Sequence, residues 1–252
     1  MSLSPIQASL RLAVVFAPLK TSGLVDEVCK RMQLAVESGL LVSEQRLPNE
    51  IEMSAALGVS AVTVREALSI LRARGLIRTT RGRNGGSFIT ENASPTDAQT
   101  HEKLLAMTPH QITELCLHFQ AIVVACAGAA AIRADSKDVA SMRMYIRPKE
   151  GPADGDPAFF WRRAVSEFLL AVAIAARSER LAHELWNLQA DSGTMSMMPF
   201  VDPSFCELTA TLNELITDAI KAHDPVAAEA RMREFSVACN EWLLAEHARG
   251  HD

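Results

Sequence analysis

Between Val59 and Gly86 the chain reads VSAVTVREALSILRARGLIRTTRGRNGG, and the groups in it able to do chemistry are guanidiniums and hydroxyls. Arg65, Arg72, Arg81 and Arg83 alternate with Ser60, Thr63 and a glycine loop ending in Gly85 and Gly86. Such groups donate to phosphate oxygens and to the edges of bases. Two readings compete. The stretch is an ordinary helix and solvated hairpin in some enzyme, or it is an element that lies on DNA.

Charge distribution separates them. The whole chain of 252 residues carries a net −5, which alone argues against wholesale nucleic-acid binding. From Arg46 to Thr90, however, seven basic residues (Arg46, Arg65, Arg72, Arg74, Arg78, Arg81, Arg83) face three acids. Residues 94–252 carry 14 basic and 22 acidic residues. A basic patch on an acidic body is the footprint of phosphate contact.

The elements that must position these groups follow from pattern. Ser22–Ser38 has apolar residues at helical spacing and stops at Gly39. Pro48 then breaks the chain, Asn49 is a natural N-cap, and Glu52 is its capping-box partner. That short helix stops at Gly58. Ser60 caps the next, where Val64, Ala67, Leu68 and Leu71 form one apolar stripe and Gly75 ends it. Ala61, Val62, Thr63, Arg65, Ser69 and Arg72 are left outside. LIRTT and GSFIT read as strands around RGRNGG, a wing in which Arg81 and Arg83 meet phosphate or minor groove.

TENASPTDAQT (90–100) is small and polar, so the boundary is placed there. The expected division is a DNA-binding domain at 1–93 (1–20 an N-terminal extension), a linker at 94–100 and an all-helical domain at 101–252. The fold class is mainly α: three helices and a two-stranded wing, then a helical bundle. Its helices are expected at Thr108–Ala134, Ser136–Ile146, Phe159–Arg177, Glu179–Gln189, Pro203–Ala222 and Pro225–His247, with 147–157 and 191–202 irregular.

No apolar run is read as approaching a membrane span, and no signal peptide is read at the start. Five scattered cysteines (Cys29, Cys116, Cys126, Cys206, Cys239) without a CxxC pair suit reduced thiols in a cytoplasmic protein. The seven histidines show no ligand spacing, and no nucleophile–base pair or phosphate loop is present, so an enzyme is not expected.

RLPNEIEMSAALGVSAVTVREALSILRARGLIRTTRGRNGGSFI resembles the winged helix-turn-helix of the GntR family of bacterial repressors, through LP-E, LGVS, TVREAL, L--RGLI and RG--GG-F. FLLAVAIAARSERLA and ITDAIKAHDPVAAEARM resemble the FCD-type ligand-binding domain of its FadR subfamily. The resemblance implies that Arg65 contacts DNA, that Ser60 and Thr63 lie on the phosphate side, and that Gly85 sits at the wing tip. Arg46, Arg72, Arg81 and Arg83 complete the expected surface. Two departures matter. Ala61 and Ile51 stand where family members usually carry arginine, so the usual half-site is not expected.

FadR-type domains commonly hold a divalent metal through one Asp and three His, and the metal binds a small carboxylate. Here the corresponding positions are Val165 or Ala164, Leu169, Asn213 and Phe235. No metal or cofactor is therefore expected. An effector, if present, should carry substantial apolar surface, near His118, Arg162, Glu167, Leu169, Asn213 and Phe235.

The expected function is a ligand-responsive repressor acting as a homodimer on a near-palindromic operator, with DNA and a small molecule as partners and no membrane. The alternative is a constitutive or architectural DNA-binding protein whose helical domain only dimerises. An enzyme is the third class.

Overall fold

The computed structural model describes residues 15–16, 23–37, 41, 43–82, 85–90, 97–148 and 157–251. It divides into two compact units, Met1–Pro95 and Thr96–Asp252.

In the first unit, helix α1 (Leu24–Glu37) buries Val28, Cys29, Met32, Ala35 and Val36. It packs on helix α3 (Ala61–Ala73), and the Cys29 thiol donates to the Ala67 carbonyl at 3.6 Å across the contact. Between them lies α2 (Glu50–Leu57). Asn49 Oδ1 accepts from the Ile51 and Glu52 amides, and Glu52 Oε2 accepts from the Asn49 amide, a closed capping box. Gly58 ends α2 with φ +66°, a left-handed turn that glycine adopts without steric cost. Ser60 Oγ accepts from the Thr63 amide at 3.0 Å and starts α3 two residues later. The stripe Val64, Ala67, Leu68 and Leu71 is buried as its spacing requires.

Strands β1 (Ile77–Thr80) and β2 (Gly86–Ile89) pair antiparallel, Ile77 opposite Ile89 and Thr80 opposite Gly86. A third rung was not expected. The Glu44 amide donates to Ile89 O, the Ile89 amide to Gln45 O and the Leu47 amide to Ser87 O. This pins the segment before Pro48 alongside β2 and fixes where α2 begins.

The second unit is helical throughout the described residues: α4 (Asp97–Leu105), α5 (Pro109–Arg133), α6 (Ser136–Arg143), α7 (Pro157–Ala175), α8 (Glu179–Ser192), a 3-10 segment (Gly193–Val201), α9 (Pro203–Lys221) and α10 (Pro225–Arg249). α10 packs along α5, the most extensive helix pair in the unit. The small residues Ala127, Gly128, Ala130 and Ala131 permit the close approach: a Cβ on Gly128 would stand 2.2 Å from Glu229 Oε1. α7, α8 and α9 also lie against α5, and Leu104, Ile112, Met195 and Leu243 close one end of the core.

Three expectations need correction. Residues 97–100, read as linker, open α4, a short helix with few apolar residues, in which Thr100 and Leu104 are buried. The stretch 191–202, read as irregular, finishes α8 and forms the 3-10 segment, which buries Met195 and Phe200. Third, α5 is long and apolar enough to cross a membrane by length and composition, contrary to the reading that no run approaches a span. It is the helix around which α7, α8, α9 and α10 pack, although it also keeps an exposed apolar face.

Candidate nucleic-acid interface

Ser60, Thr63, Arg65, Arg72 and Arg46 are each held by a local contact. Ser60 is consumed by its own helix: besides capping, its hydroxyl shares a 2.8 Å hydrogen bond with Thr63 Oγ1. The pair locks the first turn of α3, whose remaining N–H groups point outward at the positive end of the helix dipole. Arg65 projects one turn further on and is 65% exposed. Its Nε and Nη2 both donate to Glu50 Oε2, at 3.1 and 3.0 Å. The guanidinium is thereby fixed by its Nε–Nη2 edge, and Nη1 takes no part in the pair.

Arg72 donates from Nε to Thr79 Oγ1 at 3.1 Å, which ties α3 to the wing. Arg46 donates from Nη2 to Gly85 O at 2.8 Å and lies against Gly86. It supports the wing from behind. Gly85 must be glycine for want of space: a Cβ there would lie 2.5 Å from Thr80 O and 2.9 Å from Gly82 O. Gly82, with φ +115°, turns the chain at the tip. Arg81 is exposed beside it, and Arg83 lies outside the described residues. Arg78 is occupied elsewhere, stacked 5.0 Å over the Phe88 ring and paired with Glu44.

Sequence reasoning named Arg65 but missed Glu50. The two are fifteen residues apart on different helices, and only the turn at Gly58 brings them together. Ser60 caps α3 as its place before the apolar stripe implied.

The arrangement can seat a polyanion against one helix end and one hairpin.

In the helical unit the candidate effector residues separate. His118 is on the surface, 56% exposed, with Nε2 3.5 Å from Glu184 Oε1, because it falls on the outward face of α5. It stands apart from the buried candidates. Arg162 is half-buried and donates to its own helix at Ala158 O. Glu167, Leu169, Asn213 and Phe235 are buried, on α7, α9 and α10. Glu167 pairs with Arg163 at 3.5 Å.

A divalent ion does not fit the positions that the family resemblance points to. Val165, Ala164, Leu169 and Phe235 are buried hydrocarbon and Asn213 is a neutral amide. Among the described residues no three His, Cys, Asp or Glu side chains group as ligands. What α9 does offer is neutral polarity. Thr209 Oγ1 and Asn213 Nδ2 are buried one turn apart without a hydrogen-bond partner, as are both amide atoms of Gln189 on α8.

Residues 24–89 match the bacterial regulatory proteins of the gntR family, and residues 114–236 match the FCD domain. A Mycobacterium gastri protein named as an HTH-type transcriptional regulator, RmpR, is 32% identical over 181 residues. The match takes in 69% of this chain and 63% of that protein, so the chain spans less than two thirds of this relative's length. An Escherichia coli (strain K12) protein named as a regulatory protein of the L-lactate dehydrogenase operon is 28% identical over 218 residues, 83% of this chain and 82% of its own. Among solved structures, E. coli McbR/YncC superposes with a TM-score of 0.49 at 14% identity, covering 92% of this chain and 100% of that one.

Proposed function

Because this chain belongs to the gntR family of bacterial regulatory proteins and carries an FCD domain, we propose that it is a DNA-binding transcriptional regulator and not an enzyme. In this reading it is a repressor. A homodimer holds a near-palindromic operator through α3 and the wing, and a small molecule bound in the helical unit releases it.

The observation that carries the reading is the Ser60-capped start of α3, with Arg65 aimed by Glu50 and the Gly85 wing beside it. One such unit covers a half-site, and two-fold protein symmetry is mirrored in an operator. A homodimer is supported by the outward face of α5, where Leu117, Ala121, Ala125 and Ile132 recur at helical spacing and stay exposed. That seam has no use in an isolated bundle.

Effector binding is supported by the unpartnered Thr209, Asn213 and Gln189 groups, since a buried polar atom without a partner costs about 1–3 kcal/mol that a ligand can recover. The second reading, a constitutive DNA binder, is supported by the 3-10 segment. It packs Met195 and Phe200 against the surrounding helices and fills interior space.

The experiment is capture of genomic fragments by the purified full-length protein, with mobility shifts on the fragments recovered. Nanomolar, salt-dependent and sequence-selective binding is the expected result, and binding indifferent to sequence would defeat the operator reading. Thermal-shift screening against metabolites then separates sensor from constitutive binder, because a sensor alone gains stability.

A further inference from the structure

We propose that the DNA-facing surface reads thymine through its 5-methyl group, using Ile51, Val62 and Ala61; the inference rests on the regulator reading above. Ile51 and Val62 are the exposed large hydrophobics among the described residues of the first unit, at 78% and 67%. All other large apolar side chains described there are at least partly withdrawn into the core or the base of the wing.

Their positions correspond. Each is the second residue of its helix, Ile51 after the Asn49 cap and Val62 after the Ser60 cap. Val62 and Arg65 are three residues apart and share a side of α3. Ile51 adjoins Glu50, to which Arg65 is bonded at 3.0 Å. The ion pair therefore fastens the first turn of α2 beside the first turns of α3 and carries both apolar tips with it.

The surroundings decide what these tips meet. Arg65 is exposed beside them, and Arg72 and Arg81 are exposed elsewhere on the same locally cationic unit, a setting that suits a polyanion and not the apolar face of a second protein. A duplex presents one apolar group in its major groove, the thymine 5-methyl. The N-terminal turn of a recognition helix is the part that reaches base edges. Ala61, beside Val62, is small enough to let a base pair approach. At positions 51 and 61 an arginine would read guanine by two hydrogen bonds; isoleucine and alanine cannot, and they contribute apolar contact in its place. Arg65 keeps its outward fork for one guanine. A half-site follows in which a guanine is flanked by thymines.

The test begins with duplexes selected by the full-length protein from a random pool, and replaces the thymines of the selected half-site by uracil. Uracil keeps the Watson–Crick pairing and every phosphate and lacks the methyl alone. Each missing methyl is expected to cost about fourfold in affinity, and the fully substituted operator at least tenfold. The dependence on salt should stay the same, because no phosphate contact changes. Ile51→Ser and Val62→Ser, both at exposed positions, should bind the thymine operator more weakly and lose most of the discrimination against uracil. Equal affinity for thymine and uracil operators, or selected sites without preferred thymines, would overturn the inference while leaving the regulator reading intact. Failure to capture any duplex would overturn both.

Discussion

Arg65 and Glu50 form a side-on pair in which two guanidinium nitrogens share a single carboxylate oxygen, at 3.1 and 3.0 Å. Both residues are substantially exposed, at 65% and 39%, so the pair adds little to stability. Its effect is orientation. In the proposed reading a carboxylate on a phosphate-facing surface would be a liability, and pairing with Arg65 neutralises it while fixing the guanidinium.

Arg65→Ala is expected to weaken operator binding at least tenfold, in line with the roughly 1–3 kcal/mol of a bidentate base contact, with circular dichroism unchanged. Glu50→Gln should leave affinity for a scrambled duplex equal or higher while the ratio of operator to scrambled binding falls several-fold. Mobility shifts on both duplexes at one fixed salt concentration read this out. An unaltered ratio would show that Glu50 does not position the arginine.

Gly85→Ala tests the wing. The added Cβ would meet two backbone carbonyl oxygens, of Thr80 and Gly82, and backbone atoms of a paired hairpin cannot move aside cheaply. The hairpin must open, displacing Arg81 and breaking the Arg46 contact to Gly85 O. Operator affinity is expected to drop several-fold with helical content retained. Wild-type affinity in this variant would mean that the wing does not touch DNA.

Much of the first unit was legible because its signals are local. Asn49 with Glu52, Ser60 at the start of an apolar stripe, and glycines 58, 75 and 85 each act within a few residues, and each lies where its local chemistry requires. The Glu44–Leu47 rung and the Glu50–Arg65 pair depend on chain segments meeting across the fold, and no period records them. In the second unit, α4 was missed because burial of one face needed little more than Leu104. The 3-10 segment was missed because its period is 3.0 and Pro199 stands inside it. The outward face of α5, where His118 lies, could not be told from its buried face, because an apolar helix with exposed and buried faces alike shows no amphipathic sign in its sequence.

The thiols should be unreactive. Burial pushes Cys116 and Cys206 up to about 11 and Cys126 up to about 12, and raises Cys29 and Cys239 as well. At pH 8 a thiol titrating near 11 is thiolate in only about one molecule in a thousand. Fewer than one thiol per native chain should react with a disulfide reagent within minutes, against five after denaturation. Two or more fast thiols in the native protein would contradict the packing described for α1, α5, α9 and α10.

Asp202 caps α9 by accepting from the Ser204 hydroxyl and amide, at 2.6 and 2.9 Å. Those hydrogen bonds hold its carboxyl below the ordinary 3.8. A depressed carboxyl contributes stability above its unfolded value and loses it as pH falls through the folded one. Asp202→Ala is therefore expected to destabilise the protein by about 1 kcal/mol at pH 7, with the gap from wild type closing as the pH is taken below about 4. Asp202→Asn, which keeps the acceptor, should show the smaller loss. Melting curves across pH check both, and a gap that persists unchanged at pH 3 would assign the effect to something other than the charged cap.

The absence of metal is expected from the donors in the interior. Leu169 on α7 and Phe235 on α10 are 1% and 2% exposed, and neither side chain carries a lone pair to offer. Asn213 could offer a cation only its neutral amide oxygen, and a divalent ion would have to be stripped of water to reach that buried side chain. Protein purified without chelator or polyhistidine tag is expected to hold far less than one equivalent of transition metal. Zinc or nickel titration should leave its melting temperature unchanged, as should chelator. The ligands that do raise the melting temperature are expected to be uncharged at one end, matching Thr209 and Asn213, and apolar over the rest, matching Leu169 and Phe235. Asn213→Leu should then abolish the ligand-induced shift while preserving or raising the melting temperature of the free protein, since it removes an unsatisfied buried amide. Near-stoichiometric metal that survives dialysis, with a shift lost in Asn213→Leu, would instead make Asn213 a ligand and defeat this account.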